Sequence, residues 1–159
     1  MFFSDAIGGS SSELDRVITN HNDFASVVRH ELKRSERYCS FVSLMTLRLA
    51  ELADRLQKKF PADNVKAEEF IARLCNVIRA TVRSTDVVSR MDRDRIGLLL
   101  AETPREGAVT LASRLSDNLS GFLDKTGEQT SKVDVLIEIG SFPGPDRETI
   151  EQMLKDFVN

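Results

Sequence analysis

Residues 41–49, Phe-Val-Ser-Leu-Met-Thr-Leu-Arg-Leu, constrain the fold more than any other stretch of the chain. Successive side chains of a strand point to opposite faces, so Phe41, Ser43, Met45, Leu47 and Leu49 share one face. Val42, Leu44, Thr46 and Arg48 share the other. Both faces carry apolar residues along most of the run, so this strand needs cover on both sides. It belongs inside a sheet flanked by helices, and the surrounding sequence supplies the helices.

From Asn22 the spacing Phe24, Val27, Val28, Leu32 predicts an amphipathic helix to about Arg37. After the strand, Leu49, Leu52, Leu56 and Phe60 restore helical spacing until Pro61. Phe70, Leu74, Val77, Ile78 and Val82 predict a further helix over about 67–83. Two apolar runs near 86–91 and 96–101 predict a hairpin. Pro104 suits a helix start, and Ala108, Leu111, Ala112, Leu115, Leu119 and Phe122 line one side of the helix that follows. A polar loop at 127–131 precedes an alternating strand with Val133, Val135, Ile137 and Ile139 on one face. Pro143-Gly144-Pro145 predicts a turn, and Asp146 is placed to cap a last helix to about Phe157. The fold class expected is α+β, a central and mostly antiparallel sheet flanked by helices. Gly8-Gly9-Ser10-Ser11-Ser12 has a linker composition, so residues 1–19 are expected to form an arm, or else one extra helix, ahead of a single domain at 20–159.

Charge and cysteine usage exclude several function classes. A formal net charge of −3 argues against broad capture of nucleic acid or of acidic membrane surface. No apolar run approaches the roughly 20 residues of a membrane-spanning helix, and the first residues lack the pattern of a secretory signal. Cys39 and Cys75 are too few for a disulfide framework, which predicts a reducing, cytoplasmic setting; both are expected to be small buried residues. His21 and His30 have no partner at metal-ligand spacing and read as surface residues. Asp54, Arg55, Lys58 and Lys59 read as a solvated helix face.

The hairpin, VVSRMDRDRIGLLLAET at 87–103, carries Asp92-Arg93-Asp94-Arg95 at its tip, where Gly, Asn or Asp would ease the positive φ that tight turns require. With its flanks, RATVRSTDVVSRMDRDRIGLLLAET followed by AVTLASRLSDNL, it resembles the centre of a GGDEF domain of the diguanylate cyclase family. The order and spacing of elements match the family from about residue 22 to 157. The resemblance implies a nucleotidyl-cyclase-like palm and a place in bacterial signalling. It also implies a degenerate member. The family's two tip glycines, which let backbone approach GTP closely, correspond to Asp92 and Arg93. The next acidic position is kept as Asp94; the metal-binding glutamate is replaced by Arg95, and the phenylalanine by Ile96. The metal carboxylates at the end of the first strand align with Arg48 and Ala50. Mg²⁺ takes oxygen ligands, usually carboxylates together with substrate phosphates, so Arg48, Ala50 and Arg95 imply lost metal positions and a crevice turned from acidic to basic. The Asn-Asp pair that contacts nucleotide in the family has no counterpart around Asp54–Lys58. No catalytic residues, metal or cofactor are therefore expected.

The family's inhibitory site for cyclic di-GMP, an R-x-x-D ahead of the hairpin, is matched by Arg83-Ser84-Thr85-Asp86, and the A-x-R-L arginine of the next helix by Arg114. The resemblance implies a cyclic di-GMP receptor reading guanine at Arg83, Asp86 and Arg114. Arginine can donate two parallel hydrogen bonds to guanine O6 and N7, stack on the purine face and attract phosphate, while a carboxylate can accept from the N1–H and N2–H edge. Against this stands a plain reading in which Arg83 and Asp86 form a local ion pair worth under about 1 kcal/mol. The tip likewise reads either as a partner contact or as a solvated turn. The competing function is a nucleotide-independent module that dimerises or docks on a signalling protein. A third option, GTP held without turnover, conflicts with the side chains at 92 and 93.

Overall fold

The computed structural model describes residues 21–60, 64–92, 94–126, 136–144 and 147–158. The proposed arm at 1–19, Arg93, the loop at 127–131, Val133, Val135 and Asp146 lie outside them. Along the chain stand α1 (His21–Tyr38), β1 (Val42–Arg48), α2 (Ala50–Lys59), α3 (Asn64–Thr81), β2 (Val87–Arg90), β3 (Arg95–Ala101), α4 (Arg105–Thr126), β4 (Leu136–Phe142) and α5 (Arg147–Val158). The strands form one sheet in the order β2-β3-β1-β4 with every neighbouring pair antiparallel. This is the βαββαβ arrangement in which a crossover and a hairpin interleave, with two helices, α2 and α3, in the first crossover, an extra helix at its start and another at its end.

β1 runs through the middle of the sheet, and its residues Val42 to Leu47 are all buried. Its alternation divides the interior into two cores. Met45 and Leu47, with Ile96, Leu98 and Leu100 of β3, face α2, α3 and α4 and join Leu52, Leu56, Leu74, Ile78, Leu111, Leu115 and Leu119. Val42 and Leu44, with Leu99, face α1 and α5 and join Phe24, Val28, Leu32, Ile150, Met153 and Leu154. The two-sided reading of residues 41–49 is thus met, apart from Phe41, which lies just before the strand and is 47% exposed.

Element ends shift for local reasons. α3 begins at Asn64 and stops at Thr81, because a turn closed by the Asp86 amide donating to Arg83 O (3.0 Å) follows it. Pro104 stands one residue before α4, its carbonyl accepting the Ala108 N–H (3.0 Å), which is the first bond of the helix. The expectation that both cysteines are buried is corrected at Cys39: Cys75 is buried and Cys39 exposed. Cys39 has φ of 52° and follows the last residue of α1, and the Ser40 N–H reaches back to Ser35 O (3.1 Å). That is the left-handed helix stop usually given to glycine, and it turns the chain away from the core. Among the described residues no helix is long and apolar enough to cross a membrane.

Candidate functional site

The hairpin of β2 and β3 carries a candidate site at each end. At its base, α3 ends in Thr81 and the chain turns through Arg83-Ser84-Thr85-Asp86 into β2. Asp86 is held inside this turn, its side chain 2% exposed. One carboxylate oxygen accepts the Arg83 backbone N–H (3.0 Å), and the other accepts the Ala101 N–H at the end of β3 (3.2 Å). The Arg83 side chain is 60% exposed, and its Nε lies 3.6 Å from Asp86. Its Nη2 donates to Ala101 O (2.6 Å) and to Thr103 Oγ1 (2.5 Å). From α4, Arg114 Nη2 donates to Thr81 O (3.2 Å), and Asn118 donates to the Thr81 hydroxyl (2.9 Å).

Arg83, Asp86 and Arg114 therefore line one cleft of about 270 Å³, together with Thr81, Glu102 and Thr103. The three residues singled out in the sequence are brought together. Asp86, however, has its two oxygens on backbone amides and almost no exposed side-chain surface. Its geometry is that of a tie between the turn and β3, with the arginines forming the open wall. Thr81, Glu102 and Thr103 were missed. Each sits at or just beyond an element end, and the contacts of Thr81 with Arg114 and of Thr103 with Arg83 span sequence separations that no local pattern reports.

At the other end the tip folds onto itself. Arg95 Nε donates to Asp92 Oδ2 (2.9 Å), with Nη2 2.7 Å from the same oxygen, and Asp92 Oδ1 accepts the Asp94 N–H (3.2 Å). Arg90 steadies the hairpin from the side through a two-pronged ion pair with Glu68 of α3. The Leu49 N–H, leading into α2, donates to Asp94 O (2.6 Å), which fixes the tip against the end of β1. Burial acts to raise the Asp92 pKa, but hydrogen bonds from Arg95 and Asp94 outweigh it and hold the carboxyl below its ordinary value. Asp94 moves up, through its side-chain hydrogen bond with Asp92 and then through burial and the neighbouring charge. Ile96 is fully buried, as expected of a core replacement.

Arg48 and Arg95 are opposite one another in the β1–β3 register, and Ala50 opens α2 beside them. The crevice is nonetheless not simply basic. Asp54, Asp92 and Asp94 line a cleft of about 440 Å³ with Ala50, Ala53 and Gln57, which corrects the expectation of an inverted charge. Asp54 is exposed, as expected of a solvated helix face, and it lines this cleft opposite the hairpin. Among the described residues no group of three or more His, Cys, Asp or Glu side chains is arranged to hold a metal ion. The acids present do not suit Mg²⁺: Asp92 already accepts at both oxygens, and the side-chain hydrogen bond with Asp92 raises the Asp94 pKa.

An antiparallel βαββαβ sheet covered by helices on both faces, with its clefts at the two ends of the central hairpin, defines a nucleotidyl-cyclase-type palm. The chain belongs to the diguanylate cyclase GGDEF domain family, whose model matches residues 17–157. Solved structures agree in fold. A DGC protein from Thermotoga maritima aligns with a TM-score of 0.63 at 16% identity, over 91% of this chain and 95% of that one. The GGDEF domain of DgcB from Caulobacter crescentus, solved in complex with c-di-GMP, aligns with a TM-score of 0.60 at 10% identity, over 86% and 81%. The diguanylate cyclase SiaD from Pseudomonas aeruginosa, solved with its activator SiaC, aligns with a TM-score of 0.61 at 16% identity, over 87% of this chain and 54% of that one. No curated protein sequence matches the chain.

Proposed function

We propose that this GGDEF-family domain has lost cyclase chemistry and serves as a cyclic di-GMP receptor through the base of the hairpin. One observation carries the reading: the Arg83 side chain, 60% exposed, lines a cleft that Arg114 also lines. Two arginines on one concave surface offer parallel donors to guanine O6 and N7, flat faces for stacking, and positive charge for phosphates. A cleft of about 270 Å³ is at the small end for ligand sites and suits one base rather than a whole dinucleotide. Asp86 contributes by holding Arg83, and base recognition falls chiefly to the arginines. The fold neighbour DgcB, solved with c-di-GMP, supports a ligand of this class.

Loss of cyclase activity follows from the tip. Phosphoryl transfer depends on positioning and on metal neutralisation of developing charge. Here Arg48, Ala50 and Arg95 stand where the family carries metal carboxylates, and the Asp92 oxygens are taken by Arg95 and the Asp94 amide. The second reading, a nucleotide-independent docking module, draws on the exposed Tyr38 and Phe41 beside the α1–β1 turn and on the SiaD–SiaC complex among the fold neighbours.

Isothermal titration with cyclic di-GMP separates the two, with GTP and Mg²⁺ as a parallel arm. Saturable binding that falls at least about tenfold in Arg83→Ala is expected, since one charge-assisted donor pair is lost. Incubation with GTP and Mg²⁺ is expected to give no cyclic product. No heat and no change in melting temperature at high cyclic di-GMP would retire the receptor and leave the docking module.

A further inference from the structure

Behind Arg83 lies a chain of buried hydroxyls that neither the family pattern nor the cleft itself explains. Thr103, 8% exposed, accepts from Arg83 Nη2 at its Oγ1 and donates from that oxygen to Ala101 O (2.7 Å). Its carbonyl accepts the Ser43 hydroxyl (2.7 Å), and Ser43 Oγ lies 2.8 Å from Ser141 Oγ. Ser43 is fully buried in β1, and Ser141 of β4 is 4% exposed. The two strands are in register at this position, so the serines face each other across the sheet. A buried polar group without a partner costs stability; here the two serine hydroxyls satisfy each other and the Thr103 carbonyl, and the Thr103 hydroxyl is satisfied by Arg83 and Ala101 O. The row runs from the cleft surface to the far edge strand.

We infer that Thr103 is a positioning residue for Arg83, and that Ser43 and Ser141, acting on the Thr103 carbonyl, hold its backbone in the loop conformation this requires. Arg83 is long and mostly exposed, so its orientation depends on the few fixed acceptors at its end. Asp86 fixes the backbone and Nε side of Arg83; Thr103 and Ala101 O fix Nη2. Holding the guanidinium in place before binding removes an ordering cost that a mobile arginine would incur. The inference rests on the receptor reading for its effect on affinity, but the positioning itself is readable without ligand.

The test compares wild type, Thr103→Val, Thr103→Ser and Ser43→Ala by titration with cyclic di-GMP and by the ¹⁵N-resolved Nε–H signal of Arg83. Thr103→Val keeps the shape and removes the hydroxyl; affinity is expected to fall about three- to tenfold, with Thr103→Ser near wild type. Ser43→Ala, which lies outside the cleft, is expected to weaken binding about threefold. In both weakened variants the Arg83 signal should shift or broaden in the free protein, and in Thr103→Ser it should stay. An Arg83 signal unmoved by Thr103→Val and Ser43→Ala overturns the inference whatever the affinities. A signal that moves in a protein that binds no cyclic di-GMP upholds the positioning and removes only the receptor reading.

Discussion

At Gly97 any Cβ would lie 2.6 Å from Phe24 Cε2 and 3.3 Å from Met91 Sδ. Phe24 is fully buried and anchors α1 on the sheet, so the missing side chain lets a helix ring lie flat on the middle of β3. Gly97→Ala is expected to destabilise the domain by about 1–3 kcal/mol, the usual cost of overpacking; a urea midpoint equal to wild type would show that the ring can move aside. Such close approaches explain part of what was illegible in the sequence. Gly97 sits in an apolar run with nothing local to mark it, because its constraint comes from a residue 73 positions earlier. Cys39 misled for a related reason. Its residue type argues for burial, but its backbone adopts φ of 52° to end α1, and that local geometry outweighs the preference of the thiol for the interior. Arg83, Asp86 and Arg114 were legible through family spacing; the internal use of Asp86 was not, since Ala101 is 15 residues away.

The hairpin shows what alternating charge achieves at a turn without glycine. Asp92 and Arg95 close it with a direct ion pair, and Asp94 is left beside a second carboxyl. The folded pKa of Asp94 lies above its unfolded value, so its stabilising contribution is present below about pH 3.9 and lost as pH rises through the folded pKa. Asp92 is depressed, so its contribution is present above about pH 3.9 and lost as pH falls through its folded pKa. Asp94→Asn keeps a neutral, hydrogen-bonding side chain at all pH. It is expected to raise the melting temperature at pH 7 by about 1–2 °C, given the modest worth of partly exposed charges. That gain should disappear as pH is lowered below about 4, where Asp94 is itself protonated. A gain equal at pH 3 and pH 7 would mean that Asp94 carries no excess charge repulsion. Strand positions and the altered tip were legible from period and composition, since both are local. The acidic wall of the neighbouring cleft was not, because Asp54 meets Asp92 and Asp94 only after α2 packs beside the hairpin.

Across the molecule β1 belongs to both cores at once: Met45 and Leu47 to one, Val42 and Leu44 to the other. Neither core can come apart without exposing the other side of the same strand. Unfolding is therefore expected to be a single transition, with near- and far-ultraviolet circular dichroism giving coincident midpoints. Leu44→Ala and Leu47→Ala, on opposite faces, should each cost about 2–5 kcal/mol and move both signals together. Separate midpoints in either variant would mean that the two layers fold independently. The two-sided strand was readable because its period is set by adjacent residues, whereas the partition of helices between layers is a matter of topology. The same hairpin that crosses this sheet is pinned at its base by Asp86 and Thr103 and at its tip by Asp92 and Arg95. Six residue steps along β3 separate those ends, about 20 Å at strand spacing. Mutations can thus accumulate at one end without touching the contacts of the other.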